Sequence, residues 1–117
     1  TALMQRVLEL DETFYYGGAH MYFGVYYGSR AQALGGNFEK SRQHFDRARE
    51  ITDNRLLVAD LLQAQYLARQ MFDQEDFYSR LNKVIDAPED LYPELTLLNQ
   101  ISKRKAKLLL KKKEQWF

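Results

Sequence analysis

Residues 15–28 read YYGGAHMYFGVYYG, which places five tyrosines, one phenylalanine and four glycines in fourteen positions. Glycine inside a helix costs about 1 kcal/mol relative to alanine. Each tyrosine also brings a hydroxyl that must stay wet or find a partner. Three architectures reconcile that much ring area with that much glycine: a sheet strand, an aromatic binding pocket, or a helix wedged tightly into a helical array. On a helical wheel Tyr16, His20, Phe23 and Tyr27 fall on one side with Gly24 beside them. Tyr15, Tyr22 and Tyr26 fall on a second side, about a third of a turn away. A surface helix carries one apolar stripe, so a helix with two is sandwiched, as the first helix of a repeat pair in a solenoid is. Gly24 then lets a neighbour approach closely.

The rest of the chain agrees with a helical reading. TALMQRVLEL places Leu3, Val7 and Leu10 on one face, and the acidic break Asp11–Glu12 follows. A second helix over about residues 18–33 ends before Leu34–Gly35–Gly36. Asn37 caps a third, FEKSRQHFDRAREI, with Phe38, Ser41, Phe45, Ala48 and Ile51 inward. LLVADLLQAQYLARQMF is apolar enough to be buried on two sides, and FDQEDFYSRLNKVID turns Phe77, Leu81, Val84 and Ile85 inward. APEDLYP holds both prolines and reads as a loop. A last helix runs from about Glu94 through Phe117, with Leu97, Ile101 and Leu108 as its apolar side. No segment alternates with a period of two for long enough to form a strand, so the fold class is all-α, with about six helices.

Composition bounds the function. Apolar residues make up 45%, charged residues 28% and the net charge is +1, the balance of a globular protein whose field neither gathers nor repels polyanions. There is no cysteine, so neither disulfides nor thiolate chemistry arises, and the redox compartment stays open. No apolar run is long enough to span a bilayer. The chain opens on Thr1 with neither an initiator methionine nor a signal-peptide pattern, so residues 1–117 read as one domain from the C-terminal part of a longer chain.

An internal repeat sharpens the fold. Gly36, Phe38, Ser41, Phe45 and Ala48 follow the second helix of a tetratricopeptide motif, and Phe23, Gly24 and Tyr27 fit its first helix. The intervening loop, through SRAQALGG, is about five residues longer than usual. Met4 and Val7 fit the second helix of a preceding repeat, and Phe77, Val84 and Ala87 a looser following copy. The expected architecture is a tetratricopeptide-like helical repeat array, an α-α superhelix.

Candidate chemistry is sparse. His20 and His44 have no cysteine or HExxH beside them; His20 reads as hydrogen-bonded within an aromatic layer and His44 as a surface residue. The acids Asp73, Glu75, Asp76 and Asp86, Glu89, Asp90 occupy a helix start and a loop, where they suit the helix dipole or are solvated. Lys103, Arg104, Lys105, Lys107 and Lys111–Lys113 admit nucleic-acid or anionic-membrane binding, but a solvated helix face accounts for them at near-neutral net charge. Phosphate loops, nucleophile elbows and dinucleotide fingerprints are absent, so no catalysis, metal or cofactor is expected. The tyrosine cluster is the remaining candidate, because amphipathic rings line wet grooves as well as cores.

YYGGAH, GVYYGSR and LGGNFEKSRQHF, taken with PELTLLNQISKRKAKLLL near the far end, resemble the T component of TRAP transporters, the TatT family, from about Leu8 to Leu110. Ala19 stands where that resemblance leads one to expect proline, and Met21 where it leads one to expect arginine. The resemblance implies a periplasmic, usually lipid-anchored, tetratricopeptide-like protein that assembles as a homotrimer. It also implies docking to a TRAP solute-binding receptor and relay of a small hydrophobic or organic-acid ligand.

The expected function is thus a non-catalytic scaffold with an aromatic groove or pore. Tyr15, Tyr16, His20, Tyr22, Phe23, Tyr26 and Tyr27 would line it, with Asn99 and Lys103 as polar contributors. A generic tetratricopeptide adaptor gripping a peptide or helix is the second reading. Nucleic-acid binding through the basic tail, with steep salt dependence, is the third.

Overall fold

A computed structural model of the protein describes residues 2–112. Among these residues six α-helices and no strand occur. They are α1 (Ala2–Leu10), α2 (Phe14–Gly28), α3 (Phe38–Ile51), α4 (Val58–Leu62), α5 (Gln74–Asp86) and α6 (Thr96–Lys111). A π-helical segment, Gln63–Ala68, continues α4, and single 3₁₀ turns occupy Gln32–Leu34 and Pro93–Leu95. The fold is the all-α helical array expected from the periodicity.

Local chemistry accounts for the boundaries. Asn37 accepts a hydrogen bond from the Lys40 amide and Asp73 one from the Asp76 amide, each 3.0 Å, so both start a helix by satisfying an otherwise orphaned donor. Asp73 and Asp76 are therefore structural, as their position at a helix start implies; Asp76 also pairs with Arg80 at 3.0 Å. Helix α2 ends at Gly28 with Ser29 as its cap, short of the expected end near residue 33, and the 3₁₀ turn takes up the interval. Its beginning is unusual: Tyr15, Tyr16 and Gly17 hold φ of +51°, +57° and +80°, a left-handed turn ahead of the right-handed helix.

α2 and α3 run antiparallel. Asn37 donates to the Tyr27 carbonyl, the Ser41 hydroxyl donates to the Gly24 carbonyl at 2.6 Å, and Gly17 lies against Ala48 and Ile51. Two glycines make this contact possible. A Cβ on Gly24 would stand 2.7 Å from the Phe45 ring, and one on Gly28 would stand 2.6 Å from Ser41 Oγ. At Gly24 the approaching group is a ring rather than a backbone. The glycine–ring combination of residues 15–28 is thus a steric fit: α2 gives up side-chain volume where the fully buried Phe45 ring needs it.

A second cluster joins the later helices. Leu57, Leu61, Ala64, Phe77, Leu81, Val84 and Ala106 are buried together, and each large side chain among them contributes about 1.5–3 kcal/mol. Phe77, Leu81 and Val84 form the expected inner face of α5, while Ile85 is only half-buried. On α3, Ser41, Phe45 and Ala48 are buried, with Phe38 and Ile51 half-buried.

α6 departs from its wheel. Leu97, Ile101 and Leu108 are 71%, 45% and 51% exposed, and the buried stripe is Asn99, Ser102, Ala106 and Leu109. Small residues at three- and four-residue spacing let α6 approach α4 and α5 closely. Asn99 gives that face its tie: its carboxamide oxygen accepts from the Leu57 amide and its nitrogen donates to the Arg55 carbonyl, both at 2.9 Å. Lys113, part of the basic tail, lies outside the described residues, as do Thr1 and the expected end of the last helix through Phe117.

Beneath this array sits a buried carboxylate. Asp60, 1% exposed, accepts from Arg80 Nη1 and Lys83 Nζ at 2.8 Å each, with Arg49 Nη1 at 3.5 Å. Arg49 pairs in turn with Asp46 and Gln63. The network ties α3, α4 and α5 through one anion, and its charges balance locally.

Candidate functional site: an aromatic trough

The two sides of α2 meet different surroundings. Phe23, Tyr27 and His20 face α3. The His44 ring lies parallel to Tyr27 (9°, centroids 5.9 Å apart) and tilted against Phe23 and His20 at 5.3 and 5.2 Å. Phe23 is buried. Lys40 Nζ stands 5.4 Å above the Tyr27 ring, and its charge faces the π-cloud.

His44 is not the surface residue expected from its wheel position. It is half-buried, and its Nδ1 lies 2.9 Å from His20 Nδ1. The Glu12 carboxylate is 3.8 Å from His20 Nε2, which has no hydrogen-bond partner of its own. That distance is too long for a hydrogen bond but short enough for the charge to favour a proton on Nε2. His20 Nδ1 is then the acceptor and His44 Nδ1–H the donor. Burial holds His20 below the ordinary histidine range, against the pull of Glu12 and with a push from Arg47. Burial also holds His44 down, reinforced by His20 and Lys40.

The opposite side of α2 opens onto a trough of about 590 Å³. Met21, Tyr22, Val25 and Tyr26 form one wall, and Val58, Leu62 and Tyr66 form the floor. Leu98 of α6 closes one part, and Ser29 and Arg30 stand at the end of α2. Tyr22 and Tyr26 stack at 6.4 Å and 23°, and the Arg30 guanidinium carbon sits 4.4 Å from the Tyr26 ring centroid. The only buried side-chain N or O atom without a partner among the described residues is His20 Nε2, so no tyrosine hydroxyl is stranded in the core.

Of the residues expected to line a groove, the structure brings Tyr22 and Tyr26 to the trough. His20, Phe23 and Tyr27 belong to the α2–α3 seam. Tyr15 and Tyr16 lie on the left-handed turn, where Tyr15 is 76% exposed and Tyr16 meets Tyr92 edge-on at 6.1 Å. Asn99 is occupied by the backbone of residues 55 and 57. Lys103 Nζ donates to the Ile85 and Ala87 carbonyls, where a cation suits the end of α5. Tyr66 and Arg30 also line the trough, although neither was among the residues expected there. Tyr66 follows a floor of Val58 and Leu62 at four-residue spacing, a signal present in the chain. Among the described residues no group of three or more His, Cys, Asp or Glu is placed to hold a metal ion, and no helix is long and apolar enough to cross a membrane.

An all-α array with ring-lined seams and an open apolar trough defines a helical-array protein. The comparison with known families makes the assignment more specific. The TRAP transporter T-component family matches residues 1–117, and the chain belongs to that family, a component of a transport system. No curated protein matches it.

Proposed function

We propose that the chain is a non-catalytic, tetratricopeptide-like scaffold of a periplasmic TRAP transport system. It docks the solute-binding receptor and relays that receptor's small hydrophobic or organic-acid ligand. The trough between α2 and α4 carries the reading: it is open, apolar, rimmed by tyrosines and of a size suited to a small molecule. In this reading the full-length protein is lipid-anchored and works as a homo-oligomer, a trimer, and the exposed Leu97, Ile101 and Leu108 of α6 are available to a protein neighbour. The test is capture of the cognate solute-binding receptor by tagged full-length protein. Retention of the receptor, weakened by Val25→Asp in the trough, is the expected result. A chain that retains no receptor at any salt concentration refutes the docking role.

A generic adaptor is the second reading, because the floor residues Val58, Leu62 and Tyr66 also line an adjoining concavity against α6. That reading expects an amphipathic peptide helix to compete with whatever occupies the trough.

A further inference from the structure

Arg30 is the cation at one end of the trough. It is exposed, follows the cap of α2, rests on the Tyr26 ring, and pairs with no carboxylate among the described residues. Past the shared floor, the adjoining concavity of about 290 Å³ carries Lys105 and Lys112. No acid lines either concavity. Between the cations the surface is mostly apolar, including Met21, Val25, Leu62 and Leu98.

These facts restrict the occupant. An uncharged apolar molecule would leave the guanidinium unused. Within the trough a molecule charged at both ends would place one charge on Val25 and Leu98, where desolvation is not repaid. Lys105 and Lys112 belong to the adjoining concavity and not to the trough's own lining. A guanidinium offers a forked pair of donors that suits a single anionic head, and Ser29, at the same end of α2, also lines the trough. We infer that the trough takes a monoanionic amphiphile, with its head at Arg30 and its apolar body over Val25 and Leu62 toward Leu98. This rests on the trough being a ligand cradle, and it is independent of receptor docking. Arg30 is then the residue that sets ligand specificity and orientation.

Arg30 also stands where a cation would suit the C-terminal end of α2, so the experiment must separate the two roles. Titration calorimetry of the protein with octanoate and with 1-octanol does so. Octanoate is expected to bind at least about tenfold more tightly than 1-octanol, the effect of one charge-assisted contact. Arg30→Gln removes that preference and Arg30→Lys keeps most of it, while Val25→Trp fills the trough and weakens both ligands. Equal affinities in the wild type overturn the inference. So does Arg30→Gln with a lower melting temperature and an intact preference, because Arg30 would then serve only the helix end. Binding to anionic vesicles without binding of free octanoate overturns it too, by making the cations a membrane contact. A wild-type protein that captures no receptor yet prefers octanoate through Arg30 supports the inference while refuting the docking role.

Discussion

His20 Nδ1 lies 2.9 Å from His44 Nδ1 across the seam of α2 and α3, and such a contact tolerates only one donor. If both rings are protonated, two N–H groups and two positive charges oppose each other. Glu12 faces the pair and attracts a proton, whereas Arg47 and Lys40 oppose one. Burial is the largest influence on both rings and lowers both pKa values.

The consequence is a pH-dependent stability of known sign. The unfolded chain takes up protons at an ordinary histidine pKa of about 6.5, and the folded pair takes them up only at lower pH. Stability from this pair is therefore fully present above pH ~6.5 and is lost as pH falls below it. The melting temperature is expected to drop on acidification through that window, and both imidazole C–H signals to titrate below the ordinary value by NMR. His20→Gln removes one charge facing His44 and should move the His44 midpoint upward, toward but not past the ordinary value. Two histidines titrating at their ordinary midpoint, with a flat melting temperature, would contradict the seam geometry.

Gly24→Ala tests the steric fit that shapes α2. The new Cβ would meet the Phe45 ring at 2.7 Å, and that ring is fully buried. Overpacking of this kind costs about 1–3 kcal/mol, against a helix-propensity gain of about 1 kcal/mol. A net loss of about 1 kcal/mol is expected from urea unfolding. Combining it with Phe45→Leu should be less harmful than the sum of the two single changes, because the smaller side chain leaves space for the methyl group.

What was legible in the chain follows from the range of the interactions involved. Helix α5 reveals itself through an Asp73 cap and the Phe77, Leu81, Val84 stripe, all within thirteen residues of sequence. The two-sidedness of α2 was legible for the same reason, since the wheel needs only local spacing. Helix α6 was not legible: its inner face contains Asn99 and Ser102, and Asn99 is drawn inward by backbone groups 42 and 44 positions away. Hydrophobicity alone turns that helix the wrong way and buries Leu97 and Ile101, which the structure leaves exposed. His44 reads as a surface residue in the chain because its partner lies 24 residues earlier, and periodicity does not register side-chain pairing between helices.

Asp60 makes a third test, of a buried charge against exposed ones. Its carboxylate is 1% exposed and receives Arg80 and Lys83 directly. Asp60→Asn would leave those cations and Arg49 crowded without their shared anion. Removing one member of a buried pair costs about 3–5 kcal/mol, so a loss near 3 kcal/mol is expected from denaturant titration. Lys83→Met removes only a partner that is 44% exposed, and should cost under about 1 kcal/mol. Equal losses for the two variants would show that Asp60 is not the hub of the network.

The left-handed turn at the start of α2 yields a prediction that reverses along the same helix. Tyr15 has φ +51°, where any side chain with a Cβ costs roughly 1–2 kcal/mol more than glycine. Its ring is largely in solvent, with an edge-on contact to Phe14 at 4.8 Å. Tyr15→Ala and Tyr15→Gly both lose that contact, but only glycine relieves the backbone. Glycine should therefore be more stable than alanine at position 15 by about 1 kcal/mol. At Tyr22, inside the right-handed helix, the order inverts and alanine should lead by about 1 kcal/mol. Denaturant midpoints of the four variants check both signs. Alanine leading at both positions would mean that residue 15 does not hold a left-handed backbone in solution. The expected inversion would mean that α2 bears a local strain at the place where Tyr15 is held out into water.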